Sequence, residues 1–224
     1  MKNIEMLLLI AKGLGHLRDK VVFVGGSTVS LYLTDPAVQP VRSTEDVDCV
    51  AAVVSRAEYY KLEEELERLG FKHAMDENHP ICRWRYQGLL ADIMPTEGDV
   101  LDFKNSWYSD GYAAAYTITL PGGEKIRIFT LPYFLASKIE AFRDRGNDDF
   151  LASPDMEDIV TILDGTENVV DEVLRTPEKV KNYLVTEFLK FLDDRRFIEL
   201  LEGNLRTPGR VNRVKTMLSA FRPA

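Results

Sequence analysis

Residues 21–33 read "VVFVGGSTVSLYL". Four apolar residues run into Gly25-Gly26-Ser27, and a second apolar run starts at once. The first run reads as a short buried strand that stops in a turn. After Gly26, the apolar positions Val29, Leu31, Tyr32 and Leu33 suit a short helix ended by "TDP". A Gly-Gly-Ser turn between a strand and a helix has two readings. One is a plain tight turn. The other is a loop that holds phosphate: glycine allows close approach, backbone N–H groups and the helix N-terminus favour negative charge, and the Ser27 hydroxyl donates one more hydrogen bond.

The next strand bears on the choice. "DVDCVAAV" (46–53) is rich in Val. Side chains alternate across a strand, so Asp46 and Asp48 point to one face. Two adjacent carboxylates repel unless a cation lies between them, and hard divalent ions take carboxylate oxygens. The alternative is a solvated strand end. Asp92 lies in "LLADIMP" among Leu89, Leu90, Ile93 and Met94. A charge among such neighbours is expensive unless paired or bound to metal. Three carboxylates on neighbouring strands would form a cage for one or two Mg²⁺ (or Mn²⁺) ions, which can neutralise a triphosphate.

The rest of the chain supplies the frame. Residues 3–18 read as a helix, and "AEYYKLEEELERLG" (57–70) as an amphipathic helix closed by Gly70. "ICRWRYQGLLADIMP" holds two strands around Gln87-Gly88, and "YTITLPGGEKIRIF" is a second hairpin. In "CRWRYQG" the alternation puts Arg83 and Arg85 on one face and Trp84 and Tyr86 on the other. The aromatic face suits the core, and an arginine facing a cleft could meet an acceptor. After Thr130 the segments "LPYFLASKIEAFRDR", "DMEDIVTILDG", "PEKVKNYLVTEFLKFLDDRRFIELLEG" and "TPGRVNRVKTMLSAF" read as helices. The expected organisation is an α+β fold: a mixed β-sheet flanked by helices over 1–130, then a helical region over 131–224.

In the first of those helical segments, Leu131, Phe134, Leu135 and Phe142 form an apolar stripe that also contains Lys138. Lysine is rarely buried without a partner. Lys138 is therefore a snorkelling residue at a helix edge, or it meets a nucleotide phosphate or a carboxylate of the next helix. Asp155 and Asp158 share an edge there, three residues apart.

The turn, the acidic pair and the later aspartate resemble the nucleotidyltransferase superfamily that includes DNA polymerase beta. The matching residues are Gly25-Gly26-Ser27, Asp46-Val47-Asp48 and Asp92. The departure is the spacing: eighteen residues separate Ser27 from Asp46, and "TDPAVQPVRST" is expected to form an extra loop. Lys138 followed by Asp155-x-x-Asp158 looks like the AbiEii-type toxin nucleotidyltransferases. The basic residue that this family carries before the second acidic pair is replaced here by Ser153-Pro154.

The resemblance implies a nucleotidyltransferase fold and a Mg²⁺-dependent enzyme that transfers NMP from an NTP to an acceptor hydroxyl. Asp46, Asp48 and Asp92 would hold metal. Gly25, Gly26 and Ser27 would cradle the nucleotide phosphates. Lys138 would bind phosphate, oriented by Asp158. The acceptor implied is RNA, for instance a tRNA 3′ end, with a cognate antitoxin as a possible partner. An antibiotic nucleotidyltransferase of the aminoglycoside type shares the fold, and a non-catalytic binding module of the same fold is a third reading.

Composition sets outer limits. The chain has 224 residues, is 45% hydrophobic and 29% charged, and has a net charge of −8. That balance argues against broad non-specific binding to nucleic acid. From Asn204 onward, however, Arg206, Arg210, Arg213, Lys215 and Arg222 stand with no acidic residue. This basic stretch reads either as a polyanion contact or as a solvated helix face. Cys49 and Cys82 have no disulfide framework and no metal-ligand spacing, and His16, His73 and His79 are scattered. The apolar run "MLLLIA" is short and follows Glu5, so an amphipathic first helix, no membrane span and a cytoplasmic location are expected.

Overall fold

The computed structural model describes residues 2–74, 80–101, 105–145 and 149–222; His79 lies outside them. The chain divides into two compact units. The first comprises residues 1–28 and 43–130, the second residues 29–42 and 131–224.

In the first unit the elements run α1 (Asn3–Leu14), β1 (Val21–Val24), β2 (Asp46–Ala51), α2 (Arg56–Arg68), β3 (Lys72–His73), β4 (Arg83–Tyr86), β5 (Leu89–Pro95), α3 (Tyr108–Ala114), β6 (Tyr116–Thr119) and β7 (Lys125–Ile128). Seven strands among the described residues form one mixed sheet, in the order β3-β4-β5-β2-β1-β7-β6. β1 and β2 are antiparallel and β2 and β5 are parallel, as a sheet joined by both hairpins and helical crossovers requires. The β4–β5 hairpin closes through two residues at positive φ, Gln87 at 47° and Gly88 at 87°, the backbone of a type I′ turn. β1 is buried along its whole length, and Trp84 packs in the core. Tyr86 is half-buried and Arg85 exposed.

Two local details differ from the expected elements. The first helix gives way at Gly15 to a 3₁₀ turn over Gly15–Lys20. The segment after Gly25 is a six-residue 3₁₀ helix, Gly26–Leu31. So short a turn aligns few peptide dipoles, and its N-terminus is a weaker anion site than that of a full α-helix.

The second unit is helical: α4 (Leu131–Arg145), α5 (Pro154–Gly165), α6 (Val169–Arg175), α7 (Glu178–Asp193), α8 (Arg195–Leu205) and α9 (Pro208–Ser219). Its core includes Phe134, Leu135, Ile139, Met156, Ile159 and Leu163. An aromatic cluster joins Phe142, Phe150, Phe191 and Phe197, with ring centroids 4.8 Å apart for Phe142–Phe150 and 5.3 Å for Phe191–Phe197. The long apolar segment after Pro177 breaks into α7 and α8 at Asp194. Its carboxylate accepts from the backbone N–H of Arg196 and so caps a new helix.

The segment before β2 belongs to this unit. The backbone N–H groups of Thr34 and Asp35 donate to the Gly165 carbonyl at 2.9 and 3.0 Å. The Tyr32 ring packs against Phe134, tilted by 42° with centroids 4.8 Å apart. A Cβ on Gly165 would lie 2.7 Å from Leu33 and 2.8 Å from Val38, so only glycine lets the segment lie this close. No described helix of the chain is long and apolar enough to cross a membrane.

Candidate functional site

In the first unit the register of four strands sets one row of residues. Val24 pairs with Asp48 across β1–β2, Asp48 with Asp92 across β2–β5, and Asp92 with Arg83 across β5–β4. Directly paired residues share a face of the sheet, and Asp46 joins that face two positions from Asp48. The three aspartates predicted from the sequence are thus brought together on adjacent strands.

Arg83 lies among them. Its Nε donates to Asp92 Oδ1 at 2.7 Å, and its Nη2 donates to Asp92 Oδ2 at 2.6 Å and to Asp46 Oδ2 at 2.8 Å. The Asp92 pairing is bidentate, the strongest geometry open to a carboxylate and a guanidinium. The Arg83 pKa stands above its ordinary value: the hydrogen bonds it donates to Asp92 are the main cause, and burial opposes it. Asp92 is 7% exposed, so this partner is what makes its burial tolerable. Among the described residues no three carboxylate, thiol or imidazole groups converge closely enough to hold a metal ion. The donor set fits a hard cation through Asp46 and Asp48, carboxylates on one face of one strand. It does not fit one through Asp92 as arranged here, because both Asp92 oxygens accept from arginine.

The glycine turn abuts the same row. Gly25 has φ +73°, and a Cβ there would fall 1.8 Å from Asp48 Oδ2. Thr28 closes the turn, its N–H and hydroxyl both donating to the Gly25 carbonyl at 3.2 and 2.9 Å. The Ser27 hydroxyl is buried and has no hydrogen-bond partner among the described residues.

The second unit contains the other predicted pair. Lys138 is 6% exposed, and its Nζ lies 2.9 Å from Asp155 Oδ1 and 2.7 Å from Asp158 Oδ2. Burial disfavours the ammonium, yet Asp158 and Asp155 outweigh it and raise the lysine pKa. The carboxylates sit at the start of α5, where the Ser153 side chain caps the helix and Pro154 occupies its first turn. Asp158 also accepts a bidentate pair from Arg42, at 2.8 and 3.0 Å.

Two arginines take roles that sequence reasoning did not give them: Arg83, expected only as an acceptor contact, holds Asp92 and Asp46, and Arg42 holds Asp158. Arg83 was legible by counting: from a two-residue turn at Gln87-Gly88, the pairs run Tyr86–Leu89, Arg85–Leu90, Trp84–Ala91 and Arg83–Asp92. Arg42 carried no such signal, since it meets Asp158 across 116 positions of sequence. The basic stretch near the end is largely neutralised within the unit. Arg210 donates to Asp164 at 2.6 Å and to Asp35 at 2.9 Å, Arg213 to Asp164 at 3.2 Å, and Arg222 to Asp193 at 2.6 Å. Three of its five cations thus serve the fold, which takes them away from the polyanion reading.

No protein-family model matches the sequence, and no curated protein matches it significantly. The fold does have solved counterparts. An antigenic nucleotidyltransferase-like protein from Paracoccidioides brasiliensis is similar with a TM-score of 0.50 and 17% identity, over 92% of this chain and 97% of that one. The antibiotic-resistance factor ANT(2'')-Ia is similar with a TM-score of 0.52 and 14% identity, over 85% and 96%. The chain thus has a nucleotidyltransferase-like fold: a mixed sheet with flanking helices, then a helical region.

Proposed function

We propose that this chain is a nucleotidyltransferase that moves an NMP group from an NTP to an acceptor hydroxyl, with Mg²⁺ or Mn²⁺ held by Asp46 and Asp48. The observation that carries the reading is the contact of the Gly25 turn with Asp48. A backbone stripped of its Cβ runs directly against the carboxylate that lies in register with Asp92. When bound, the divalent ion neutralises triphosphate charge and polarises the reacting phosphorus.

The chain's own residues do the positioning. Gly25 and Gly26 let backbone N–H groups approach phosphate oxygens, and the buried Ser27 hydroxyl gains the acceptor it lacks when a phosphate oxygen reaches it. Asp92 is a fixed, paired charge rather than a carboxylate poised to take the acceptor's proton. In the reaction the acceptor oxygen bonds to the α-phosphorus. The bond from that phosphorus to the bridging oxygen breaks, pyrophosphate leaves with the electron pair, and the acceptor hydroxyl's proton passes to water. Positioning and charge neutralisation supply the rate, and no covalent protein intermediate is required. Lys138 is the proposed phosphate ligand of the second unit, its ammonium oriented by Asp158 and Asp155.

The AbiEii-type resemblance of the lysine and Asp-x-x-Asp motifs supports an RNA acceptor such as a tRNA 3′ end, a toxin role and an antitoxin partner. One observation favours a second reading, a small cationic acceptor of the aminoglycoside type. The arginines that would draw a polyanion are committed to Asp35, Asp164 and Asp193, while the chain as a whole carries −8. One of the structures of similar fold is an antibiotic-resistance factor.

The test is incubation with each α-³²P-labelled NTP and either total RNA or an aminoglycoside panel, with and without Mg²⁺. Metal-dependent label in one pool, reduced by at least about a hundredfold in Asp46→Ala and Asp48→Ala, is the expected result. Turnover unchanged in both variants would sink the proposal.

A further inference from the structure

We infer that Arg83 is a positioning residue: anchored by Asp92, it fixes the direction in which the Asp46 carboxylate faces a divalent ion, an inference that rests on the metal-dependent reading above.

Arg83 and Asp92 are directly opposed in the β4–β5 ladder, so backbone register brings them together. Asp92 accepts through both oxygens, from Nε at 2.7 Å and from Nη2 at 2.6 Å, which locks the plane of the guanidinium. Nη2 carries two hydrogens. One serves Asp92, and the other, held in the same plane, meets Asp46 Oδ2 at 2.8 Å. Asp46 lies in β2 and Arg83 in β4, with β5 between them, so this bond reaches over a whole strand. The Asp46 main chain is fixed separately. It pairs with Leu90 in β5, and the Thr44 hydroxyl donates to its carbonyl at 2.7 Å. With the backbone set, only the side-chain torsions of Asp46 remain, and the bond from Arg83 restricts them. Arg83 need not be the carboxylate's only partner to set its direction. Asp92 is buried and the Arg83 side chain is 19% exposed, so the anchoring pair is largely shielded from competing water.

Charge and position predict opposite signs. Arg83 is a cation beside a cation site, so on charge alone its removal tightens metal binding. As a positioning residue its removal weakens it. Arg85 stands on the same sheet face, in register with Leu90, and is common to every protein compared. The full chain is titrated with Mn²⁺ and followed by electron paramagnetic resonance, at a fixed concentration of a non-hydrolysable α,β-methylene NTP, with the nucleotide-only signal subtracted. Arg83→Met should bind Mn²⁺ at least about tenfold more weakly than wild type, the scale of an outer hydrogen bond to a metal-binding carboxylate. Measured against Asp46→Ala alone, adding Arg83→Met should change binding by less than about twofold, because the group it acts through is gone. Arg83→Lys keeps the charge and loses the planar fork, so it should also bind more weakly, and it carries the test if the methionine variant does not fold. Unchanged or tighter binding in whichever variant folds overturns the inference and leaves the metal-dependent reading standing. A tenfold loss that persists in the Asp46→Ala background does the same. No Mn²⁺ held by wild type above the nucleotide-only signal overturns the inference and the metal-dependent reading together.

Discussion

Gly25 and Asp48 occupy adjoining space so completely that a Cβ at position 25 would sit 1.8 Å from Asp48 Oδ2. The backbone there has φ +73°, which L-residues adopt at a cost of roughly 1–2 kcal/mol. Gly25→Ala therefore strains the turn and pushes the carboxylate out of its row. Thermal melting should fall by several degrees, at about 2–4 °C per kcal/mol for a chain of this size. Nucleotide turnover should fall at least about tenfold, since a displaced ligand loses its geometry. A variant with unchanged melting and unchanged turnover would show that the contact constrains neither fold nor site.

Lys138 pairs with both Asp155 and Asp158, and all three groups are nearly inaccessible to solvent. Lys138→Met removes the ammonium that the two buried carboxylates share, and breaking a buried ion pair costs about 3–5 kcal/mol. Urea unfolding should show a loss of that order. Adding Asp155→Asn to the Met variant should recover part of it, because one buried negative charge is then removed. Strict additivity of the two substitutions would count against a coupled pair.

Glu187 gives the helical unit an acid dependence. Burial raises its pKa, but hydrogen bonds from Lys190 and Arg143 lower it more, and the result lies below the ordinary value of 4.5. A depressed carboxylate contributes stability above its unfolded pKa and loses it as pH falls through the folded value. The urea midpoints of wild type and Glu187→Gln should therefore differ at about pH 7 and converge toward about pH 3. A gap that stays constant across that range would contradict the assignment.

Both thiols should be inert in the native protein. Cys49 and Cys82 are buried, and burial, aided by Asp92 and Asp48, pushes the Cys82 thiol up to about 12. Burial likewise raises Cys49 well above its usual range. Thiolate, not thiol, is the nucleophile, so an aromatic disulfide reagent at about pH 8 should label neither until denaturant is added. Rapid labelling of the folded chain would disprove it.

How much of this could be read from the sequence depended on the range of each interaction. The Gln87-Gly88 and Pro121-Gly122-Gly123 hairpins were legible because turn chemistry is local, and so was the common face of Asp46 and Asp48, which needs only a period of two. The helix break at Asp194 was hidden by an apolar stripe that runs on through it, and α6 by its brevity. The basic stretch was ambiguous for a different reason. Arg210 and Arg213 meet Asp35 and Asp164, and nothing in the periodicity of a helix indicates a partner so far along the chain. Arg42 and Asp158 raise the same difficulty.

The chain crosses from one compact unit to the other three times, after residues 28, 42 and 130. A gene fragment ending at residue 130 would carry away a piece of the helical unit's interior, with Tyr32 stripped of Phe134 and Asp35 of Arg210. The helical region expressed alone would lack its Gly165 strap and the Arg42 clamp on Asp158. Neither half is a transferable cassette. In recombination or domain shuffling the two would have to travel together, inherited as a single interlaced piece.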